Sequence, residues 1–274
     1  DFDKGLISKL IDSLGEALDL KKVASLLSEE KVGCIYHKGI EIGPRALGHR
    51  SFIADARYEK MKEIMNLKIK HREAYRPFAP IIIDKFFNDY FIGEANNLYR
   101  YMLGAVKCTE KCIRDTPAIV HVDNTARVQT ADKNNGIIYE ILNEFYKQTS
   151  VPLLINTSFN DNNEPIVFSH QDALLCFLRT NADFLIIDSK IIYRENIKDI
   201  ENLKKQLVRS QQEWINIYSK SAIEELTNIG KKDKSISLKS FIDFNLKLTN
   251  AFKSDLPILE LIRFLSNINK KNLY

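Results

Sequence analysis

The spacing of apolar residues along the chain predicts a series of short amphipathic helices. In each of them apolar side chains recur three or four residues apart, which lines up one apolar stripe along the helix. The predicted helices cover residues 4–15, 19–29, 58–70, 136–148 and 171–179. Ser169, three positions before Asp172, gives the last helix a start that resembles a capping box.

Short apolar runs rich in β-branched residues lie between these helices and predict strands. The predicted strands cover residues 32–36, 50–56, 81–83, 118–122, 127–130, 151–155, 184–187 and 191–193. We expect the last two to form a hairpin. Pro152 should stand at the first position or on the edge of its strand, because it has no N–H to donate. Strands that alternate with helices are typical of an α/β or α+β sheet domain, here over residues 16–193.

The composition changes after Tyr193. Only one glycine follows, and Lys, Asn, Ile, Leu and Ser dominate. Apolar residues at helical spacing predict helices over residues 198–228, 237–252 and 255–268. Residues 198–274 are therefore expected to form an all-helical extension, whose role the sequence does not indicate.

The overall composition is that of an ordinary globular protein. Apolar residues make up 45% and charged residues 28% of the 274 residues, which argues against a disordered or fibrous chain. No run of about 18 apolar residues is present to span a bilayer, and the first 20 residues lack the pattern of a signal peptide. Since the sequence starts at Asp1, we expect a fragment or a processed product.

The four cysteines follow no disulfide framework. They lie in or beside apolar or mixed segments, which fits the reducing cytoplasm better than secretion. Cys108 and Cys112 are separated by three residues rather than two, and no second pair matches them. We therefore expect no protein-held metal site.

The formal net charge of +4 is unevenly distributed. Residues 194–274 hold 15 Lys and Arg against 10 Asp and Glu, whereas residues 1–193 hold 25 against 26. Inside this nearly neutral body, residues 45–76 hold nine basic residues against four acidic ones. The total charge is therefore no argument for nucleic-acid binding, but the local excess is a candidate anion site.

The segment Gly43-Pro-Arg-Ala-Leu-Gly-His-Arg-Ser51 is the first candidate within that excess. Two glycines and a proline in nine residues favour a tight loop, with the guanidinium groups of Arg45 and Arg50 beside exposed backbone N–H groups. Such a loop would suit an anion. The alternative is an ordinary glycine-proline turn with solvated arginines.

A second candidate runs from Lys68 to Arg76. If this stretch is extended, Lys68, Lys70 and Arg72 point to one side, and Arg76 joins them. Phosphate groups would be the natural counter-ions, because hydrogen bonds to charged groups are worth about 1.5–3 kcal/mol each. The alternative is a solvated basic turn at the C-terminus of a helix, where cations complement the helix dipole.

A third candidate follows the apolar strand at residues 151–155. Asn156, Thr157, Ser158 and Asn160 come directly after it. A buried strand that ends in small hydrogen-bonding side chains is where open α/β sheets place ligands. The alternative is a plain turn, which these residue types also favour.

Together these segments resemble the C-terminal domain of the carbamoyltransferase family, the O-carbamoylating enzymes of nodulation factors and antibiotics. The resemblance covers about residues 16–193 and rests on segments at residues 41–51, 66–73, 76–80, 117–130, 156–160 and 164–166. It implies an α/β fold, a YrdC-like twisted sheet domain with flanking helices over residues 16–197. It also implies a separate N-terminal metal-binding domain of the sugar-kinase/heat-shock superfamily, in cis or as another chain, from which residues 1–15 would be a linker remnant.

The same resemblance implies a site and a reaction. The YrdC signature Lys-x-Arg with Ser-x-Asn is similar to Lys70-His-Arg72 and Ser158-Phe-Asn160. The domain would bind ATP, with Mg²⁺ carried by the nucleotide, and carbamoyl phosphate, and would form carbamoyl adenylate. The N-terminal domain would then transfer the carbamoyl group to a substrate hydroxyl in a cytoplasmic biosynthetic reaction.

The residues that the resemblance assigns to this site fall into two groups. Lys70, Arg72 and Ser158 would be catalytic. The residues that would bind ATP and carbamoyl phosphate are Arg45, Arg50, Ser51, Lys68, Arg76, Arg127, Asn156, Thr157 and Asn160.

The sequence departs from the family pattern in two places. Asn163 precedes Glu164 where the family usually has glycine, and asparagine also tolerates left-handed backbone angles, so we expect the turn to survive. The extension after about residue 198 has no counterpart in the family pattern.

Two alternatives from other classes remain open. An RNA-binding module of YrdC-like fold would spread its phosphate contacts over a surface and would bind with a steep salt dependence. A non-catalytic partner domain would dock its helical extension on another subunit through amphipathic stripes. Pyrophosphate release from ATP that depends on carbamoyl phosphate would separate the enzyme from both.

Overall fold

Two β-sheets are built from eleven strands in the described part of the chain. The structure is a computed structural model, and it describes residues 4–38, 41, 43, 45–162 and 164–210. The strands are β1 (Glu16–Ala17), β2 (Gly33–Tyr36), β3 (Arg50–Ala54), β4 (Ala79–Ile83), β5 (Phe91–Ile92), β6 (Ala105–Cys108), β7 (Thr125–Arg127), β8 (Gln129–Ala131), β9 (Leu153–Ser158), β10 (Phe184–Ile187) and β11 (Lys190–Tyr193).

The helices of the described residues lie between these strands. The α-helices are α1 (Lys4–Leu14), α2 (Leu20–Ser28), α3 (Met61–Ile64), α4 (Phe87–Tyr90), α5 (Glu110–Asp115), α6 (Ile137–Thr149) and α7 (His170–Arg179). A π-helical turn, Met65–Ile69, continues α3. Short 3₁₀ turns cover Asp84–Phe86, Tyr99–Tyr101, Pro117–Ile119, Lys133–Asn135 and Arg194–Asn196. None of the helices in this described part is long and apolar enough to cross a membrane.

The larger sheet is mixed and has the strand order β1-β11-β10-β2-β3-β9-β4-β8. The pairs β2/β10 and β4/β8 are parallel, and the other pairs are antiparallel. Every residue of β2, β3, β4 and β10 is buried, as expected for strands that are covered on both faces. The smaller sheet has the order β5-β6-β7 and is antiparallel.

Helix α6 shows why an amphipathic pattern is enough to place a helix on this sheet. Its apolar stripe is buried, and the helix packs on α2, β4 and β9. The stripe consists of Ile137, Ile138, Ile141, Leu142 and Phe145. Burial of such side chains contributes about 1.5–3 kcal/mol each. Helix α7 packs on β2 and β10, and Ser169 and Asp172 form the capping box at its start.

The described residues confirm the α/β class and the predicted helices at residues 4–15, 19–29, 136–148 and 171–179, with ends that differ by one or two positions. The hairpin of β10 and β11 is also confirmed. The chain divides into residues 4–204 and a second unit made of residues 1–3 and 205–274. Residues 200–210 are helical, and the other helices predicted after residue 198 lie outside the described residues.

The predicted strand at residues 118–122 is wrong. Pro117–Ile119 is a 3₁₀ turn, in which the N–H of Val120 donates to the carbonyl of Pro117 at 3.2 Å. Proline fixes its own φ near −65°, which suits the start of such a turn better than a strand. The predicted strand at 127–130 is divided at Val128 into β7 and β8, which belong to different sheets.

One end of the larger sheet collects the segments singled out by the sequence. Strand β9 ends at Ser158, which stands opposite Ser51 in β3. Strand β4 starts with Ala79 opposite Asn156, and β8 starts with Gln129 opposite Ile81. The chain therefore brings the carboxyl end of β9 together with the amino ends of three other strands.

We predict that Gly48→Ala destabilises the fold by about 2 kcal/mol or more, measured by denaturant unfolding. Gly48 has a φ of 113°, and a Cβ atom there would lie 2.5 Å from Ile138 Cγ2 in the core. Both the backbone strain and the overpacking oppose the alanine. The matched control is Gly5→Ala in α1, where no atom lies within 4 Å of the added Cβ. Equal stability changes in the two variants would contradict this account.

Candidate functional site

Lys70 ties two distant parts of the chain together at the end of β9. Its ammonium donates to the carbonyl oxygens of Ser158 and Asn160 at 2.9 and 2.7 Å and to Asn160 Oδ1 at 2.5 Å. Ser158 Oγ donates to the same Oδ1 at 2.7 Å, and Asn160 Nδ2 donates to the carbonyl of Glu164 at 2.6 Å. We call Lys70, Ser158 and Asn160 the lysine cluster.

The three acceptors around Lys70 match the three donors of an ammonium group. The side chain is only 4% exposed. Burial lowers the pKa of Lys70 to about 8, and the positive charge of Arg72 adds to the shift. In this arrangement Lys70 holds the end of β9 in place, and a phosphate oxygen would have to replace one of its protein acceptors to bind it directly.

The π-helical turn Met65–Ile69 determines where Lys70 lies. The turn buries Met65, Asn66 and Ile69, and it leaves Lys68 exposed. Lys68 and Lys70 therefore do not lie on one face of an extended strand, so that expectation is wrong. A π-helical turn inside a helix is frequent at functional sites. It is followed by His71 with a φ of 45°, and His71 Nδ1 lies 2.9 Å from Asp161 Oδ1 across the same junction.

Asn66 orients Arg72 and the loop after it. The asparagine is fully buried, and its Oδ1 accepts from Arg72 Nε at 2.7 Å. Its Nδ2 donates to the carbonyls of Ala74 and Arg76 at 3.0 and 2.9 Å. Arg72 also stacks over Phe78, with its Cζ 4.8 Å from the ring centroid. Nε and one face of this guanidinium are thus held by the protein.

Four arginines form a second group of charges, which we call the arginine cluster: Arg45, Arg72, Arg76 and Arg127. Burial, followed by the charges of Arg76 and Arg127, lowers the pKa of Arg72. Burial and the charge of Arg45 lower the pKa of Arg127. Arg127 Nε is buried without a hydrogen-bond partner. Partly buried like charges of this kind cost free energy, which an anion bound among them would offset.

The loop at residues 43–51 is held by a carboxylate of the chain itself. Glu41 Oε1 accepts from the N–H groups of Leu47 and His49 at 2.6 and 3.0 Å, and Oε2 accepts from that of Arg50 at 3.0 Å. The N–H of Gly48 donates to Ser51 Oγ at 3.1 Å. The expectation that these N–H groups are exposed to an outside anion is therefore wrong, because the Glu41 carboxylate already accepts their hydrogen bonds.

Arg50 is largely engaged within the protein. Its Nη1 donates to the carbonyls of His37, Lys38 and His49 at 2.9–3.1 Å, and its Cζ lies 3.6 Å from the ring centroid of Tyr36. Its predicted binding role stays a prediction, as does that of Ser51, which is fully buried.

Asn156 and Gln129 form a buried amide pair beside the two clusters. Asn156 Nδ2 donates to Gln129 Oε1 at 2.7 Å and to the carbonyl of Ala46 at 3.1 Å. Gln129 Nε2 donates to the carbonyl of Leu47 at 2.9 Å. Asn156 Oδ1 is buried without a hydrogen-bond partner. The pair links β9, β8 and the loop that carries Arg45.

The remaining predicted residues are placed less centrally. Thr157 follows Asn156 in β9, so its side chain lies on the opposite face of the strand. Arg76 is exposed and pairs with Glu73 at 2.9 Å. In the described residues, no group of three His, Cys, Asp or Glu is placed to hold a metal ion.

Sequence reasoning does not single out three residues of the site: Glu41, Asn66 and Gln129. Each of them lies inside a segment on which the family resemblance rests. For Glu41 and Asn66, a neutral or acidic side chain in or beside the basic segment is a signal, because buried backbone groups in a loop need acceptors and donors from within the protein. Gln129 lies in a segment without a basic excess and has no such signal.

Comparison with known proteins supplies the class of the domain. The sequence profile of the family Carbamoyltransferase C-terminus matches residues 24–194. The chain belongs to this family.

Similar proteins include three nodulation proteins. Nodulation protein NolNO of Sinorhizobium fredii is 44% identical over 154 residues, which is 56% of this chain and 23% of that protein. Nodulation protein NolO of Bradyrhizobium diazoefficiens is 43% identical over 149 residues, or 54% and 27% of the two chains. Nodulation protein U of Azorhizobium caulinodans is 39% identical over 147 residues, or 53% and 26%. The chain spans about a quarter of the length of each.

Similar solved structures are more distant in sequence. Full-length HypF in its phosphate- and nucleotide-bound form has a TM-score of 0.46 and 19% identity, with 63% of this chain and 25% of HypF covered. Sua5 of P. abyssi complexed with L-threonine has a TM-score of 0.42 and 15% identity, with 64% and 48% covered.

We predict that anion binding weakens as the pH rises through about 8, because the lowered pKa of Lys70 makes it lose its charge there. Sulfate is a suitable anion, since its own charge is constant in this range. Its affinity, measured by calorimetry, should fall several-fold between about pH 7 and about pH 9. Lys70→Arg should show a flatter profile, because arginine stays protonated. Parallel profiles for both proteins would contradict the assignment.

We also predict that Asn66→Ala weakens sulfate binding by about tenfold, because the variant releases Arg72 Nε and the carbonyls of Ala74 and Arg76. The matched control is Asn143→Ala in α6, whose amide, within the part of the chain that the structure describes, donates to the carbonyl of Tyr139 one turn earlier. Circular dichroism checks that both variants are folded. Equal affinities in the two variants would show that Asn66 does not position Arg72 for binding.

Proposed function

We propose that this domain binds ATP and carbamoyl phosphate and forms carbamoyl adenylate, the first half of an O-carbamoyltransferase reaction. The observation that carries the proposal is the lysine cluster. Lys70-His-Arg72 and Ser158-Phe-Asn160 are almost ninety residues apart, and three hydrogen bonds from the Lys70 ammonium join them. These are the two segments whose pairing the family resemblance implies.

The proposed reaction has two steps. Water first cleaves carbamoyl phosphate into carbamate and inorganic phosphate. A carbamate oxygen then attacks the α-phosphorus of ATP, a bond to that phosphorus forms, and the bond to the β-phosphate oxygen breaks. Carbamoyl adenylate and pyrophosphate are the products. Mg²⁺ enters this scheme as part of the ATP substrate.

The arginine cluster supports the binding of several phosphate groups in one place. Arg72 and Arg127 are half-buried; the charge of Arg127 helps to lower the pKa of Arg72, and the charge of Arg45 helps to lower the pKa of Arg127. Nucleotidyl transfer needs little covalent work from a protein, because positioning and charge neutralisation dominate it. We assign Arg72 and Arg127 to triphosphate oxygens and Arg45 to the adjoining phosphate.

The lysine cluster has a different role in the proposal. Lys70 fixes the Ser158 and Asn160 backbone and adds a positive charge behind them, so that Ser158 Oγ is held at the end of β9. An incoming phosphate or carbamoyl oxygen can replace Asn160 Oδ1 as the acceptor of Ser158 Oγ. Catalysis then depends on the ammonium staying charged while it holds this strand end.

Transfer of the carbamoyl group to a hydroxyl is proposed for another domain, because the chain spans about a quarter of the similar nodulation proteins. An RNA-binding role is less well supported. Arg45, Arg72 and Arg127 are half-buried, whereas nonspecific RNA binding uses exposed charges spread over a surface.

The test is pyrophosphate release from ATP by the 274-residue chain, with and without carbamoyl phosphate. We expect release only with carbamoyl phosphate, and a loss of about 100-fold or more in Arg72→Ala and Lys70→Ala, since both remove charge next to the reacting phosphates. Lys147→Ala is the control, because Lys147 is exposed on α6 and pairs only with Glu144 at 2.6 Å among the described residues.

A result without carbamoyl-phosphate-dependent release would overturn the proposal for this chain. So would unchanged release in both site variants. Salt-sensitive RNA binding in place of nucleotide binding would support the alternative instead.

A further inference from the structure

Two buried polar atoms without partners lie at the candidate site. In the described residues only three buried side-chain N or O atoms have no hydrogen bond, and two of them are Arg127 Nε and Asn156 Oδ1. Such atoms cost free energy in a folded protein unless a ligand or water satisfies them. One is a donor and the other is an acceptor.

The identity of the unpaired acceptor follows from its neighbours. The carbonyl of Leu47 can only accept, so the NH₂ group of Gln129 must face it, and Gln129 Oε1 must face Asn156. The NH₂ group of Asn156 then faces Gln129 Oε1 and the carbonyl of Ala46, which also can only accept. A flipped amide would place oxygen against oxygen twice. The unpaired atom of Asn156 is therefore its carbonyl oxygen.

The surroundings of this oxygen restrict what can reach it. Asn156 contacts Ala46, which follows Arg45, and Gln129, the first residue of β8. It lies on the same face of β9 as Ser158, two positions before it. Arg45 and Arg127, which adjoin these contacts in the chain, are cations that attract phosphate oxygens, whereas the Glu41 carboxylate is taken up by the N–H groups of Leu47, His49 and Arg50. An amide oxygen repels those oxygens and accepts from an N–H group. A ligand that satisfies both carries a hydrogen-bond donor close to phosphate, and an NH₂ group two bonds from a phosphate-bound oxygen is such a donor.

We propose, as an extension that rests on the proposed function, that Asn156 Oδ1 accepts a hydrogen bond from the NH₂ group of the carbamoyl moiety and makes the site select carbamoyl over other acyl groups. In carbamoyl phosphate and in carbamoyl adenylate the nitrogen lies two bonds from the oxygen that is bound to phosphorus. Adenine also has an NH₂ group, but the ribose separates it from the phosphates. Asn156 is thus a specificity-determining residue.

Acetyl phosphate is the probe for this inference, because it replaces the NH₂ group by a methyl group of similar size. A site that is built to accept from an N–H group can reject such an analogue by about 10⁴-fold, because the acceptor stays unpaired. We expect the wild-type chain to prefer carbamoyl phosphate over acetyl phosphate by at least about 100-fold in pyrophosphate release. In Asn156→Leu, which places a methyl group at the Oδ1 position, this preference should fall at least about tenfold.

Gln129→Leu is the matched control. It removes one partner of the Asn156 NH₂ group but keeps the carbonyl of Ala46 as its anchor, and it leaves Asn156 Oδ1 in place. Release should be slower in this variant while the preference for carbamoyl phosphate is kept. An equal loss of preference in Gln129→Leu would show that packing, and not the acceptor, sets the selectivity, and would overturn the inference.

Binding measurements separate this inference from the proposed function. Protection of the wild-type chain from thermal unfolding is measured with carbamoyl phosphate, acetyl phosphate and ATP, each alone. If no acyl phosphate supports pyrophosphate release, the proposed function is wrong. The inference is tested separately, by whether the chain binds carbamoyl phosphate more tightly than acetyl phosphate. Equal binding of the two acyl phosphates to the wild-type chain overturns the inference, even if Asn156→Leu does not fold. A loss of ATP binding in Asn156→Leu as large as its loss of carbamoyl phosphate binding assigns the acceptor to adenine and also overturns it.

Discussion

The candidate site depends on one buried ammonium group. Lys70 supplies three hydrogen bonds to Ser158 and Asn160 at the end of β9, and the His71–Asp161 contact joins the same two segments. The cost of removing this charge from water is offset by acceptors that belong to the strand end itself. Ser158 is also held by its pairing with Ser51 in β3, and Asn160 by its hydrogen bond to the carbonyl of Glu164, so Lys70 completes an arrangement that the strand begins.

The sequence predicts the fold well where a single pattern is sufficient. Helix α6 and helix α7 show long apolar stripes, and the hairpin of β10 and β11 combines two apolar runs with a short turn. The small sheet is not predicted. Strand β5 has two residues and β6 alternates only Ala-Val-Lys-Cys, so neither is long enough to stand out as a period-two pattern.

The residue types of the candidate site can be read from the sequence, but the contacts that each side chain makes cannot. A basic segment next to glycines indicates an anion site, yet the pattern cannot tell which N–H groups the protein satisfies itself. Glu41 occupies the loop that would otherwise be open, and Asn66 fixes Arg72 from inside the core. The π-helical turn and the strand order bring these residues into contact. Neither of them produces a periodic pattern of apolar residues in the local sequence.

Strands β7 and β8 are consecutive in the chain but belong to different sheets, and only Val128 separates them. Arg127 is therefore attached to the small sheet, while Gln129, and through it Asn156, is attached to the large one. Because only Val128 links the two strands, a shift of one sheet relative to the other would change the distance between Arg127 and the Asn156–Gln129 pair. The distance between Arg127 and Asn156 is thus set by how two sheets are joined, and substitutions in β5 and β6 would act on ligand binding through this junction.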